Sequence, residues 1–190
     1  MTEQTNWASY IYKFFAVILI IFSLYTAAFG VFPDVIQRGT HLALAIILVY
    51  LGMITNSKIR LSNLILLILA TLGAFTALYQ TLFYDDVVNR YGAMTEPEIW
   101  IAAVSVVILL DATRRTIGWS MVILALIFLA YAFWGNYLWG DISHRGYGLK
   151  RVLSQIFLGA DGIFGTPLGV SSTFVVLIVI LGALLESTGA

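Results

Sequence analysis

The chain has 190 residues, 61% of them hydrophobic and 11% charged, with ten basic and ten acidic residues that give a net charge of zero. Soluble domains carry about 25% charged residues, so this composition, with a mean hydropathy of +0.95, is typical of an integral membrane protein. The zero net charge and the lack of a basic cluster argue against a nucleic-acid partner, and the absence of cysteine excludes disulfides and thiolate metal sites.

Long unbroken apolar runs recur along the chain, which predicts membrane-crossing helices and not barrel strands. The predicted fold class is all-α: a polytopic helical bundle of about six transmembrane helices plus one interfacial amphipathic helix. The first run is longer than the apolar region of a cleavable signal peptide, so we interpret it as a retained helix. The predicted spans are Tyr12–Phe32, Thr40–Thr55, Leu61–Phe83, Pro97–Thr113, Thr116–Leu138 and Leu168–Leu185.

The second and fourth spans are short for a bilayer of roughly 30 Å, which predicts helices packed on partners or a locally thinned bilayer. Between the last two spans, Lys150–Ala160 places apolar and polar residues on opposite sides at helical spacing. This pattern predicts an amphipathic helix lying in the membrane interface.

Lysine and arginine counts predict that the N-terminus is cytoplasmic, because cytoplasmic loops carry an excess of these residues. Up to the fifth span, the side of the N-terminus holds five and the opposite side two. The loop after that span opposes this assignment with three further cations. The residues are Lys13, Lys58, Arg60, Arg114 and Arg115 on the first side, Arg38 and Arg90 on the second, and Arg145, Lys150 and Arg151 after the fifth span.

Asp111 precedes Arg114 and Arg115 by three and four residues, so all three are expected on one face of the fourth span. The sequence leaves two interpretations. Asp111 is either an intramembrane carboxylate on an ion path, or it is neutralised by the arginines, which fix topology at the cytoplasmic surface. The position at the helix end favours the second.

Asp85, Asp86, Arg90, Glu96 and Glu98 lie in one outer loop and the start of the following span. The acidic loop either docks a basic partner or is a solvated connection, and the second is favoured. Negative charge at the start of a helix is also stabilised by the helix dipole.

His144 and Arg145 open the sequence His-Arg-Gly-Tyr before the amphipathic segment. His41 is far away in sequence, so a metal site is disfavoured. The favoured interpretation is a turn that docks against a partner.

Gly165, Pro167 and Gly169 form a helix-breaking segment before the last span. In transporters, broken helices present their ends to substrate and ions; the alternative, which is favoured, is a plain interfacial turn. The spacing of the two glycines also predicts close packing of the last span on a neighbour.

Nucleophile–base pairs, glycine-rich phosphate loops and metal-ligand spacings are absent from the sequence. We therefore expect no enzyme activity, no catalytic or metal-binding residues and no cofactor.

An ordered series of motifs in residues 95–190 resembles the fused permeases of TRAP transporters, in particular the TAXI type. Residues 1–94 match only in helix number and hydropathy. The motifs are Asp111-Ala-Thr-Arg-Arg115, Gly118-Trp119, Tyr131 with Gly135, His144-Arg-Gly-Tyr147, Gly162-Ile-Phe-Gly-Thr-Pro-Leu-Gly-Val-Ser171 with Phe174, Gly182 and Ser187-Thr-Gly189.

The resemblance implies three regions: a four-helix, small-subunit-like region (1–115), a connecting helix (116–143) and the beginning of a large transport subunit (144–190). It implies uptake of small organic acids across a bacterial or archaeal cytoplasmic membrane, driven by an ion gradient, usually sodium. The implied partners are the lipid bilayer, the remainder of the large subunit and a periplasmic solute-binding protein. Solute and sodium sites are expected beyond residue 190, so none is assigned in this chain.

The alternative is a self-contained six-helix membrane protein, such as a small channel or an assembly factor. The lack of a polar stripe along any predicted span argues against a pore.

Overall fold

The computed structural model describes residues 6–56, 60–90, 93–159 and 161–189, and all regular structure within these ranges is helical. The all-α fold class is therefore confirmed. Two short 3₁₀ turns follow the sixth helix, and a π-helical segment, Ser171–Val175, joins the last two. The α-helices are α1 (Asn6–Phe29), α2 (Asp34–Asn56), α3 (Arg60–Leu82), α4 (Tyr84–Asn89), α5 (Glu96–Thr116), α6 (Trp119–Trp134), α7 (Leu149–Phe157), α8 (Thr166–Val170) and α9 (Val176–Thr188).

Five segments of the described chain are long and apolar enough to cross a membrane, against six predicted. The difference is α5, which has 21 residues but carries acidic residues in its first turn and two arginines in its last. Its crossing of the membrane stays a prediction. The five segments are Trp7–Phe29, Asp34–Thr55, Leu61–Leu82, Trp119–Tyr137 and Thr166–Thr188.

The predicted start of the second span at Thr40 is wrong, because α2 begins at Asp34 and runs for 23 residues. The apolar run was interrupted by Asp34 and Arg38, which form an ion pair one turn apart, at 2.7 Å. The helix is long enough for a bilayer without local thinning, since 20 residues are sufficient.

Helix α2 packs between α1 and α3, and small residues bring these helices close together. Gly73 of α3 lies against Ile46 of α2 and Ile108 of α5, so that a Cβ on Gly73 would be within 3 Å of both side chains. Close approach of helices through glycine and alanine is common in membrane bundles. The buried alanines of this core are Ala8, Ala43, Ala70, Ala74, Ala77 and Ala112.

Helix α7 packs mainly on protein. Its residues Val152, Leu153 and Phe157 are buried. Leu153 and Phe157 belong with Ala102 of α5 and Phe164 to a second apolar cluster. Much of the apolar side of α7 is therefore covered by α5 and by the segment before α8. Placement of α7 at the membrane surface stays a prediction.

Long-range hydrogen bonds define the two ends of the bundle. At one end, which we call the α7 end, α2 begins next to the end of α3, through a bond from Thr81 to the carbonyl of Val35 at 3.4 Å. Helix α5 also begins there, since Lys150 of α7 lies 3.5 Å from Glu96. At the other end, the Asp111 end, Tyr50 of α2 meets the last turns of α5.

Candidate functional site at the break in the last span

Helix α8, the π-helical segment and α9 form one continuous but irregular helix. Pro167 lies in its first turn, where a missing backbone N–H costs nothing. In the π-helical segment the N–H of Val176 bonds to the carbonyl of Ser171, five residues back. The Ser172 and Thr173 hydroxyls both donate to the carbonyl of Gly169, at 2.9 Å. Such segments are rare and frequent at functional sites.

Arg38 of α2 holds the entry to this helix. Its Nη1 donates to the carbonyl of Phe164 at 2.8 Å, and its Nη2 pairs with Asp34 at 2.7 Å. Gly169 faces the same guanidinium, and a Cβ on Gly169 would lie 2.9 Å from Nε of Arg38. A side chain at position 169 would therefore force the guanidinium to shift.

Gln37 links three elements at the same level. Its side-chain nitrogen donates to the carbonyl of Ser172 in the π-helical segment, at 3.3 Å, and lies 3.5 Å from the hydroxyl of Thr26 on α1. One turn further along α2, Nε2 of His41 lies 3.3 Å from the hydroxyl of Ser171. The result is a polar seam between α1, α2 and the break.

The seam is buried, and its polar capacity is incompletely used. Gln37 and His41 are 3% and 4% exposed. The second polar atom of each, Oε1 of Gln37 and Nδ1 of His41, has no hydrogen-bond partner among the described residues. An open groove of about 200 Å³ runs beside the seam, lined by Gln37, Arg38, Gly169 and Ser172 among others. Buried polar side chains inside a membrane span are expensive to keep, so we take this cluster as the candidate functional site.

Of the predicted break residues, Gly169 lies against Arg38 of α2, while Gly165 caps the same helix and Pro167 lies in its first turn. The seam residues Gln37, Arg38 and His41 were missed as candidates. The available signal was the spacing of Gln37 and His41, which are four residues apart and therefore share one helix face. It was missed because the second span was predicted to start at Thr40, after Gln37.

Glu98 forms a separate, fully satisfied cluster at the α7 end. Arg90 donates to Oε1 at 2.7 Å and to Oε2 at 3.2 Å, and Tyr79 donates to Oε1 at 3.1 Å. The backbone and hydroxyl of Thr95 donate to Oε2 at 2.6 and 2.8 Å, which caps α5. The hydrogen bonds to Glu98 raise the pKa of the Arg90 guanidinium. Glu98 is buried, so its assignment to a solvated outer loop was wrong; Asp85, Asp86 and Glu96 are exposed.

The structure brings the three residues of the Asp111 end together. Asp111 accepts from Arg114 at 3.2 Å and from Arg115 at 2.6 Å. The hydroxyl of Tyr50 lies 3.1 Å from the same carboxylate, a contact that the sequence did not indicate. The Arg114 guanidinium also stacks over Trp119 at 5.3 Å. An aspartate that is paired in this way has little capacity left for an ion.

His144 is part of the turn that follows α6, and its partners lie in its own chain. Its Nδ1 accepts from the Gly146 N–H at 3.0 Å, and Nε2 lies 2.9 Å from the carbonyl of Tyr131. The ring stacks on Tyr147 and lies against Gly135, where no side chain would fit. Arg145 is exposed beside it. Docking of this turn on a partner stays a prediction.

No protein-family model, curated protein or solved structure matches the chain.

Proposed function

We propose that the chain is the N-terminal scaffold part of an ion-gradient-driven, TRAP-type permease that takes up small organic acids. The observation that carries the proposal is the attachment of the broken last span to α2. Arg38 binds the carbonyl of Phe164 and Gln37 binds that of Ser172. These bonds join the region that resembles the start of a large subunit (144–190) to the small-subunit-like region (1–115).

A substrate site and a structural joint place different demands on a helix break. A site leaves helix ends open to the ligand, whereas here α2 side chains bind two backbone carbonyls at the break. Hydrogen bonds between buried groups also favour a single arrangement of the helices. Breaking such a bond leaves a desolvated polar group without a partner, which costs free energy. The seam therefore supports a rigid joint. A scaffold needs such a joint when another part of the transporter moves against it.

The proposed location is the cytoplasmic membrane of a bacterium or archaeon, with the N-terminus inside. In that orientation the α7 end faces the periplasm, where a solute-binding protein would deliver the substrate. The exposed carboxylates Asp85 and Asp86 and the turn around His144 lie on this side.

Uptake measurements in the source cells test the proposal. We expect deletion of the gene to abolish sodium-dependent uptake of at least one of radiolabelled succinate, glutamate and lactate, and re-expression of the intact gene to restore it. Re-expression with Arg38→Gln is expected to restore less than half of the rate, at equal protein level. Unchanged uptake of all three acids after deletion would overturn the proposal.

Reading the gene past the codon for residue 190 is an independent test. The proposal expects an open frame that encodes a large apolar region. A stop codon with no adjacent gene for a large membrane subunit would favour the self-contained six-helix protein.

A further inference from the structure

A second groove, of about 590 Å³, lies between α6 and α7. This volume is within the range of ligand pockets, roughly 300–1,000 Å³. Ala125 and Ala132 lie two turns apart on α6, and their small side chains leave the space between the helices unfilled. The apolar lining residues are Ala125, Phe128, Leu129 and Ala132 of α6 and Val152 and Ile156 of α7.

The lining of this groove also has a polar, cationic part, which we call its mouth. It consists of Tyr147, Arg151 and Gln155, and the Arg151 guanidinium stacks on the Tyr147 ring at 5.2 Å. Lys150, the preceding residue, contacts Glu96. Arg151 has no carboxylate partner within the described residues, so its guanidinium is available to an anion.

Exposed aromatic residues indicate the depth of the mouth in the membrane. Trp134, Tyr137 and Trp139, which end α6 and follow it, are 62%, 74% and 90% exposed. Tryptophan and tyrosine concentrate at the level of the lipid headgroups. The cationic mouth is therefore placed near the headgroups, and the apolar wall formed by α6 extends from there into the hydrocarbon region.

We propose that this groove binds one anionic phospholipid, with an acyl chain along Ala125 and Ala132 and the phosphate at Arg151. The planar guanidinium of arginine matches phosphate with two parallel hydrogen bonds. Basic pockets between transmembrane helices are a known form of lipid-headgroup recognition. The proposal requires only that α6 lies in a membrane, so it does not depend on the proposed transport function.

The charge at the groove favours a lipid over a helix of a second copy. A phospholipid supplies both an anionic headgroup for the guanidinium of Arg151 and an acyl chain for the apolar wall formed by α6.

The proposal also accounts for Arg151, one of three cations that follow the fifth span on the side predicted to be external. A cation that binds an anionic headgroup is expected at either membrane surface, because its position is set by the lipid that it binds. Lys150 is instead paired with Glu96.

Native mass spectrometry of the purified full chain tests the proposal, with phosphatidylglycerol and phosphatidylcholine of identical acyl chains added in equal amounts. We expect the wild type to retain phosphatidylglycerol about tenfold more than phosphatidylcholine, and Arg151→Gln to lose most of this preference. Lys13→Gln, which removes an exposed cation from α1, is the matched control and should keep it. Ala132→Phe, which fills the groove, should reduce retention of both lipids.

Equal retention of the two lipids by the wild type would overturn the proposal. So would an unchanged preference in Arg151→Gln, or dimers without bound lipid, which would assign the groove to a second copy. Because Arg151 is exposed, its substitution is expected to leave the fold intact, and the helical circular-dichroism signal checks this.

Discussion

Arg38 of α2 and Phe164 before α8 are 126 residues apart in sequence, yet the guanidinium of one lies 2.8 Å from the carbonyl of the other. The bond satisfies a backbone acceptor at a point where the chain turns into a membrane-crossing helix. Unsatisfied backbone groups at membrane depth cost several kcal/mol. The side chain of Arg38 thus stabilises the entry to the last span in this position.

Replacing Arg38 by glutamine should lower the stability of the protein. A hydrogen bond from a charged group contributes about 1.5–3 kcal/mol, and in a chain of this size each kcal/mol corresponds to roughly 2–4 °C in melting temperature. We therefore expect Arg38→Gln to unfold several degrees lower in detergent, followed by circular dichroism. Asp34→Asn is the control: Asp34 is largely exposed, and its loss should change the melting temperature by little. Equal effects of the two substitutions would show that the ion pair, and not the bond to Phe164, matters.

Gly169→Ala should also destabilise the protein, because its Cβ would lie 2.9 Å from Nε of Arg38. The guanidinium is held on both sides and has to give up a bond to move, so the expected cost is about 1–2 kcal/mol, as for other overpacked sites. Gly182→Ala in α9 is the matched control, since nothing lies within 4 Å of the new Cβ. It should stabilise the helix by about 0.5 kcal/mol. Thermal unfolding of both variants gives the comparison, and a neutral Gly169→Ala would contradict the packing argument.

Glu98→Gln should lower the stability by about 2 kcal/mol, because charge-assisted hydrogen bonds are roughly twice as strong as neutral ones. Glu98 is buried at the point where α5 begins and accepts bonds from Arg90, Tyr79 and Thr95. Glu96→Gln, two residues earlier, removes an exposed carboxylate and is expected to leave the melting temperature unchanged. Equal melting temperatures of Glu98→Gln and Glu96→Gln would show that the buried hydrogen bonds of Glu98 do not add to the stability.

His144→Gln should loosen the turn after α6, whereas His144→Asn should preserve it. In this turn Nδ1 is an acceptor for the Gly146 N–H, and the side-chain oxygen of asparagine lies at a similar distance from the backbone as Nδ1. Hydrogen exchange at Gly146 is the measurement. We expect faster exchange in His144→Gln than in His144→Asn. Equal exchange rates in the two variants would show that ring stacking on Tyr147, and not the hydrogen bond to Nδ1, holds the turn.

The fold class and most of the helices were predictable, because long apolar runs have few structural solutions in a membrane. Errors arose where charge interrupts a helix. Asp34 and Arg38 truncated the predicted second span, although pairing one turn apart lets both residues lie within it. Glu98 was assigned to a solvated loop because local sequence does not show that Arg90 and Tyr79 surround it.

The candidate site was only half predictable for a related reason. The glycines and the proline of the break predict a helix interruption from the local sequence alone. The partners of the break, Gln37, Arg38 and His41, lie more than 120 residues earlier, and only the packing of α2 against α8 and the π-helical segment brings them there. The contact of Tyr50 with Asp111 is long-range in the same way.

The π-helical segment lets the last span tolerate a change of one residue in length at one place. A turn closed over five residues, as between Ser171 and Val176, accommodates one residue more than an α-helical turn. Deleting Thr173 would therefore leave a regular helix, and α9 would keep nearly the same face towards the bundle. A deletion of one residue within α9 itself would instead rotate the residues after it by about 100°. The break is thus the position in the last span where the chain can lose a residue without changing the surface that α9 presents.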